Sequence, residues 1–204
     1  MWRIRLEQPE DYQEVETMTR DAFWNKYRPG CMEHYVLHAF RDRPEFVAAL
    51  DYVVEDQGQI VGHIMYVETV LELDGDGTLP ILVFGPVSVR PERQGEGIGS
   101  QLIRYSMEQA ARMGYGAVAI TGNPGYYSRF GFEPGTAWGI YYGDVPREQE
   151  TPFFMVRELR TGYLHGVQGT YHDPEGYLVS QEAVEEFDRL FPWKEKLRLP
   201  GQLE

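Results

Sequence analysis

The chain of 204 residues has a single cysteine, Cys31, which excludes an intrachain disulfide and a cysteine-built metal cage; no resident metal is expected. No apolar run approaches the length of a membrane span, and the opening Met1-Trp2-Arg3-Ile4-Arg5-Leu6-Glu7 has no hydrophobic signal core, so a cytoplasmic protein without a membrane partner is expected. Basic residues are outnumbered, 19 Lys and Arg against 32 Asp and Glu, for a formal net charge of −13. Nucleic acid and anionic membrane would be repelled, whereas a cationic amine would be tolerated. With 42% hydrophobic residues, the chain is long enough to bury the core of one domain.

Periodicity orders the rest. Residues 2–6 alternate as a half-buried strand, and after Pro9 the positions Tyr12, Val15, Met18 and Ala22 recur at helical spacing. A second helix is expected before residue 40, carrying Cys31, Glu33, His34, Tyr35 and His38. A meander follows, with strands at 46–55, 59–72 and 79–89, a turn at Gln57-Gly58 and a hairpin at Asp74-Gly75-Asp76-Gly77. That acidic quartet lacks the further ligands and closing Glu of a calcium loop. A helix over 97–113 shows an apolar stripe through Ile98, Leu102, Ile103, Met107 and Ala110. Gly114 and Gly116 end it, and the short strand 117–120 must run parallel to its predecessor because a helix crossover joins them. Residues 153–159 read as a further strand and 181–190 as a helix.

The stretch with chemical content is Leu82 to Ser100, in which a β-branched strand passes through Arg90-Pro91 into glycines 95, 97 and 99 at the start of that helix. Unpaired amides and the positive end of the helix dipole attract anions, and glycines let a bulky polyanion approach the backbone. The triphosphate loop would need a Lys where Ser100 stands, and the dinucleotide fingerprint needs a different glycine spacing.

Gln94-Gly95-Glu96-Gly97-Ile98-Gly99 has instead the Gln/Arg-x-x-Gly-x-Gly/Ala form of the coenzyme A pyrophosphate loop, and residues 122–132, Gly-Asn-Pro-Gly-Tyr-Tyr-Ser-Arg-Phe-Gly-Phe, contain the Tyr-x-x-x-Gly-Phe block that closes the same site. On these motifs the chain resembles the GNAT superfamily of acetyl-CoA-dependent N-acetyltransferases, well over residues 50–135 and more loosely throughout, within a branch of uncharacterised bacterial acetyltransferases. The resemblance implies an α/β (α+β) GNAT fold: a mixed, mostly antiparallel sheet, splayed between strands four and five and flanked by helices. A core over 1–143 and a C-terminal strand and helix extension over 144–204 would form one domain.

Acetyl-CoA is the implied co-substrate, and transfer to a primary amine by direct attack in a ternary complex the implied reaction. Its pantetheine arm would lie along Val87, Ser88 and Val89, with a backbone amide near Val87 as oxyanion donor. Gln94, Gly95, Glu96, Gly97, Ile98, Gly99 and Ser100 would hold the pyrophosphate, with Asn123, Arg129 and Phe130 as further cofactor contacts. Tyr127, four residues before Gly131, takes the place of the general acid. Asn123 departs from the pattern, standing four residues before Tyr127 rather than about seven, which implies a shortened helix. No strand-four carboxylate offers a general base, leaving His63, Glu68, Glu33, His34 or a water chain. Two further readings stay open: a CoA-binding sensor without turnover, and transfer of another acyl group or to another acceptor. The acceptor class is a small-molecule or peptide amine, and a homodimer is compatible with the sequence.

Overall fold

The computed structural model describes residues 2–143 and 145–202. In chain order its elements are β1 (Arg3–Leu6), α1 (Tyr12–Phe23), α2 (Glu33–Phe40), β2 (Tyr52–Asp56), β3 (Gln59–Leu73), β4 (Thr78–Val89), α3 (Ile98–Arg112), β5 (Ala117–Thr121), α4 (Pro124–Tyr127), β6 (Glu133–Pro134), β7 (Ile140–Tyr142), β8 (Phe154–Glu158), β9 (Gly169–Tyr171) and α5 (Gln181–Asp188). Hydrogen bonding orders the strands β1-β2-β3-β4-β5-β8-β6, with β9 on β3 and β7 on β9. The sheet is therefore mixed and mostly antiparallel, β4 with β5 and β7 with β9 being parallel pairs.

The backbone divides into two compact units, Met1–Met65 with Pro86–Leu102 and Glu175–Glu204, and Tyr66–Gly85 with Ile103–Pro174. The expected boundary at residue 144 falls on Asp144, which lies outside the described residues, as do Met1, Leu203 and Glu204.

In the first unit β1 and β2 pair antiparallel and β2 turns into β3 through Gln57 and Gly58, both at positive φ (52° and 77°). A bulge shifts the register between Val54 and Glu55, so that Val54 faces Gly62 and Glu55 faces Ile60. The expected strand over 46–55 begins only at Tyr52; Ala48–Leu50 is instead a 3-10 turn, because the Ala-Ala step offers little β-branched surface to a sheet. Cys31, expected within a helix, is buried just ahead of α2. Helix α1 buries Val15 and Met18 along one stripe, and α5 docks through Val184 and Phe187.

In the second unit β4 and β5 pair in parallel register, Leu82 with Val118 and Val83 with Ala119. Residues 117–121 are paired along their other edge with β8, and β6 adds to β8. After residue 144 the chain adds two short strands to the sheet: β8 pairs antiparallel with β5, and β9 pairs with β3 at Leu71, Glu72 and Leu73. Its core gathers Tyr66, Phe84, Phe130, Phe132, Phe154 and Tyr171.

Candidate functional site

The first unit carries the glycine loop. Its entry is fixed by Arg90, whose Nε and Nη2 donate to Ile60 O at 3.0 and 2.9 Å and whose Nη2 also donates to Glu14 Oε1 at 2.9 Å. The same Glu14 oxygen accepts from Ile60 N at 3.0 Å, and Arg90 N donates to Val61 O at 3.0 Å. This closed bracket ties the end of β4 to the bulged part of β3 and to α1; sequence reasoning missed it, because a charge at a strand end reads as a solvated residue. A groove of about 380 Å³ lined by Glu10, Gln13, Glu14, Thr17, Met18 and Arg90 runs beside it.

Beyond the bracket, Gln94 Nε2 donates to Val89 O at 3.1 Å. Arg93 is ion-paired twice, with Glu96 at 2.9 Å and Asp56 at 3.1 Å, which raises its proton affinity and neutralises Glu96 beside an anion-seeking loop. Gly95 and Gly97 stand at φ 83° and 87°, conformations a side chain strains, and open space surrounds the place of each missing Cβ. Gln101 N donates to Gly97 O at 3.0 Å, so helical pairing starts there and leaves the amides of Ile98, Gly99 and Ser100 without helical acceptors. A polyanion fits this cradle on both counts, backbone exposure and dipole sign.

The loop is clamped at Ile98, which is 1% exposed: its Cγ2 lies 2.9 Å from where a Cβ on Gly62 would stand. In the last part of β4, Ser88 is buried with its hydroxyl 2.8 Å from that of Thr19, while Val87 and Val89 are half-buried. Strand alternation thus gives Ser88 a packing role for its side chain, while Val87 and Val89 face the other way.

The second unit carries the aromatic block. Asn123 is the N-cap of α4, its Oδ1 accepting from Gly125 N at 2.9 Å, and α4 is only four residues long, as the short spacing to Tyr127 implied. Tyr127 is half-buried, with ring centroids of Tyr126 at 5.0 Å and of Phe84 and Phe132 at 6.0 Å. Gly122 leaves room for it: a Cβ there would lie 2.5 Å from the Tyr127 ring. Arg129 lies 4.8 Å over the Tyr126 ring and its Nη2 donates to Gly125 O at 3.4 Å, whereas Phe130 is 2% exposed and packs against Tyr126. Gly85, at φ 141°, sits two residues beyond the last registered β4–β5 pair. Of the predicted residues, Val87, Ser88, Val89 and 94–100 therefore belong to the first unit, and Asn123, Tyr127, Arg129 and Phe130 to the second.

The base candidates differ sharply in setting. His63 is 1% exposed, its Nε2 lies 2.7 Å from Asp51 Oδ1, and burial pulls its pKa down to about 4. It belongs to a buried cluster with Glu7 and Asp51, whose ligand atoms all lie within 4.8 Å of one another. A cation already serves this cluster: Arg41 donates to both Glu7 oxygens, at 2.7 and 3.0 Å. Glu68 is exposed and accepts from Tyr115 Oη at 2.6 Å; burial, and then this carboxylate, push that phenol up to about 12. Burial raises Glu33, whose carboxylate accepts from Met32 N at 2.9 Å.

His34 sits in a line with Cys31 and Asp188, Cys31 Sγ being 3.4 Å from Nδ1 and Asp188 Oδ1 3.3 Å from Nε2. The order resembles a nucleophile, base and orienting acid. Its burial argues otherwise: Cys31 is 6% exposed, burial drives its thiol well above the ordinary range, and burial pulls His34 down to about 4.

Comparison with known proteins places these observations. The model of the acetyltransferase (GNAT) domain family matches residues 3–135. The uncharacterized N-acetyltransferase YjhQ of Escherichia coli is 37% identical over 112 residues, 54% of this chain and 61% of YjhQ, so the match spans less than two thirds of that relative. The crystal structure of the E. coli GNAT family N-acetyltransferase YhbS in complex with CoA superposes with a TM-score of 0.75 at 26% identity, covering 87% of this chain and 92% of YhbS. A GNAT family acetyltransferase from Brucella melitensis in complex with acetyl-CoA gives a TM-score of 0.64 at 29% identity, covering 87% and 98%.

Proposed function

Because the chain belongs to the GNAT family of acetyltransferases, we propose that it moves the acetyl group of acetyl-CoA to a primary amine by direct attack in a ternary complex. The observation that carries the proposal is the loop from Gln94 to Ser100, with positive φ at Gly95 and Gly97, open space over both, and Ile98 clamped on Gly62. The CoA and acetyl-CoA complexes of the YhbS and Brucella proteins support the same ligand.

The amides of Ile98, Gly99 and Ser100 hold the pyrophosphate, and Gln94 braces the loop through Val89 O. The arm follows Val87, Ser88 and Val89, and an amide near Val87 stabilises the oxyanion. Acetyl-CoA supplies an activated thioester. The neutral amine nitrogen attacks the carbonyl carbon, the carbon–sulfur bond breaks, and Tyr127 Oη gives its proton to the departing thiolate. The amine proton leaves through water: His63 and His34 are sequestered, and the carboxylates of Glu68 and Glu33 already accept from Tyr115 Oη and Met32 N. Asn123, whose Oδ1 caps α4, and Arg129 and Phe130, which hold the aromatic wall around Tyr127, are the further cofactor contacts. The net charge of −13 favours a cationic acceptor.

The test is release of free thiol from acetyl-CoA across a panel of amines, in wild type and in Tyr127→Phe. Amine-dependent release that falls about 10²-fold or more in the variant, with acetyl-CoA affinity retained, is the expected result. Binding without release for any amine would favour the sensor reading, and an unchanged rate in the variant would remove Tyr127 from the mechanism.

A further inference from the structure

In the second unit, one face of α3 and the end of β8 enclose a groove of about 370 Å³ lined by Arg104, Met107, Glu108, Ala111, Arg157 and Leu159. We infer that this groove binds a small carboxylate with an aliphatic tail. The charge in it is unbalanced. Among the described residues neither Arg104 nor Arg157 has a carboxylate partner, and the one acid lining the groove, Glu108, is already paired with Arg112 at 2.6 Å. Two guanidiniums without a carboxylate counterion repel each other: burial first, and then the proximity of Arg104, lower the proton affinity of Arg157, with Tyr66 opposing.

The donors left over have a definite shape. Arg157 spends Nη1 on Phe130 O and on Met107 Sδ, which fixes the side chain, while its Nε and Nη2 make no hydrogen bond among the described residues. Nε and Nη2 form the side edge of the guanidinium, the fork that takes both oxygens of one carboxylate. Arg104 lies 5.0 Å over the Phe130 ring, reaches Arg129 O at 3.5 Å and is exposed on the same groove. Met107, Ala111 and Leu159 give the remaining wall an apolar character that a phosphate would not use but a short alkyl chain would. The expectation is a carboxylate on the fork with its tail along the helix.

The probe is hexanoate, titrated into the whole protein and followed by the amide and side-chain NMR shifts of the groove residues, with hexylamine and inorganic phosphate as comparisons and saturating acetyl-CoA present in a parallel series. Saturable shifts for hexanoate, unaffected by acetyl-CoA and weaker by about tenfold or more in Arg157→Lys, are expected, since lysine keeps the charge and loses the fork. Arg104→Gln, at an exposed position, should fold normally and also weaken hexanoate. Absence of saturable shifts at millimolar hexanoate, or equal binding of hexylamine, would overturn the inference. Tighter binding of phosphate than of hexanoate would overturn the carboxylate assignment, and displacement by acetyl-CoA would overturn a separate site.

Discussion

Ile98 Cγ2 stands 2.9 Å from the place a Cβ would take on Gly62, so the first residue of α3 is seated directly on the backbone of β3. Gly62 stands opposite Val54, at the edge of the β2–β3 bulge. Gly62→Ala should displace Ile98, cost about 1–3 kcal/mol by overpacking, and weaken acetyl-CoA binding more than it changes turnover at saturation. Urea denaturation and a comparison of KM with kcat check this.

Arg20 is 2% exposed, donates to Asp188 at 2.6 and 3.3 Å, and lies 4.2 Å over the Trp24 ring. It therefore anchors α5 to α1 within the first unit. Arg20→Ala leaves the half-buried Asp188 carboxylate without its cation and should cost about 1–3 kcal/mol in chemical denaturation. Restoring bulk without charge, with Arg20→Met and Asp188→Leu together, should recover much of the loss.

The Glu7 and Asp51 carboxylates share the buried cluster with His63. Burial chiefly pushes Glu7 up to about 8, with Asp51 adding to the rise and His63 and Arg41 opposing it, and burial pushes Asp51 up to about 6. A folded-state pKa above the unfolded value means the native state holds the proton longer, so that stability is lost as pH rises through the folded value. His63, held down near 4, works the other way and has finished its contribution by about pH 6.5. Between about pH 6.5 and 8 the Glu7 effect acts alone, and stability should fall by up to about 2 kcal/mol. Denaturation curves across that range should show the decline, and Glu7→Gln should flatten it.

Cys31 should resist alkylation in the folded protein and react on unfolding, because its thiol is buried and its pKa raised. Direct attack also requires that Cys31→Ala retain near wild-type transfer; loss of turnover with the fold intact would reopen an acetyl-cysteine intermediate.

The strand, glycine loop and helix from Leu82 onward were legible because each signal is local: β-branched alternation, glycine spacing and an apolar stripe within one continuous stretch. The short α4 was legible for the same reason, from the Asn123 to Tyr127 spacing. Arg90 with Ile60 and Glu14, and Glu7 with Asp51 and His63, were not, since their partners are 12 to 76 positions apart and meet only through sheet register. The extra residues of β2 expected before Tyr52 failed for want of β-forming side chains at Ala48 and Ala49. The pairing of β8 with β5 and of β9 with β3 likewise needed the fold, because short strands after residue 144 carry little period of their own.

The most direct measurement is calorimetric titration of acetyl-CoA into the wild-type protein and into Gly97→Val, with thermal unfolding of both as a check on folding. The account predicts stoichiometric binding to wild type and its loss, by about 1.4 kcal/mol for each tenfold, in a variant that still unfolds cooperatively. Absence of binding to wild type, or equal binding to a folded Gly97→Val, would contradict the assignment of residues 94–100 as the pyrophosphate loop.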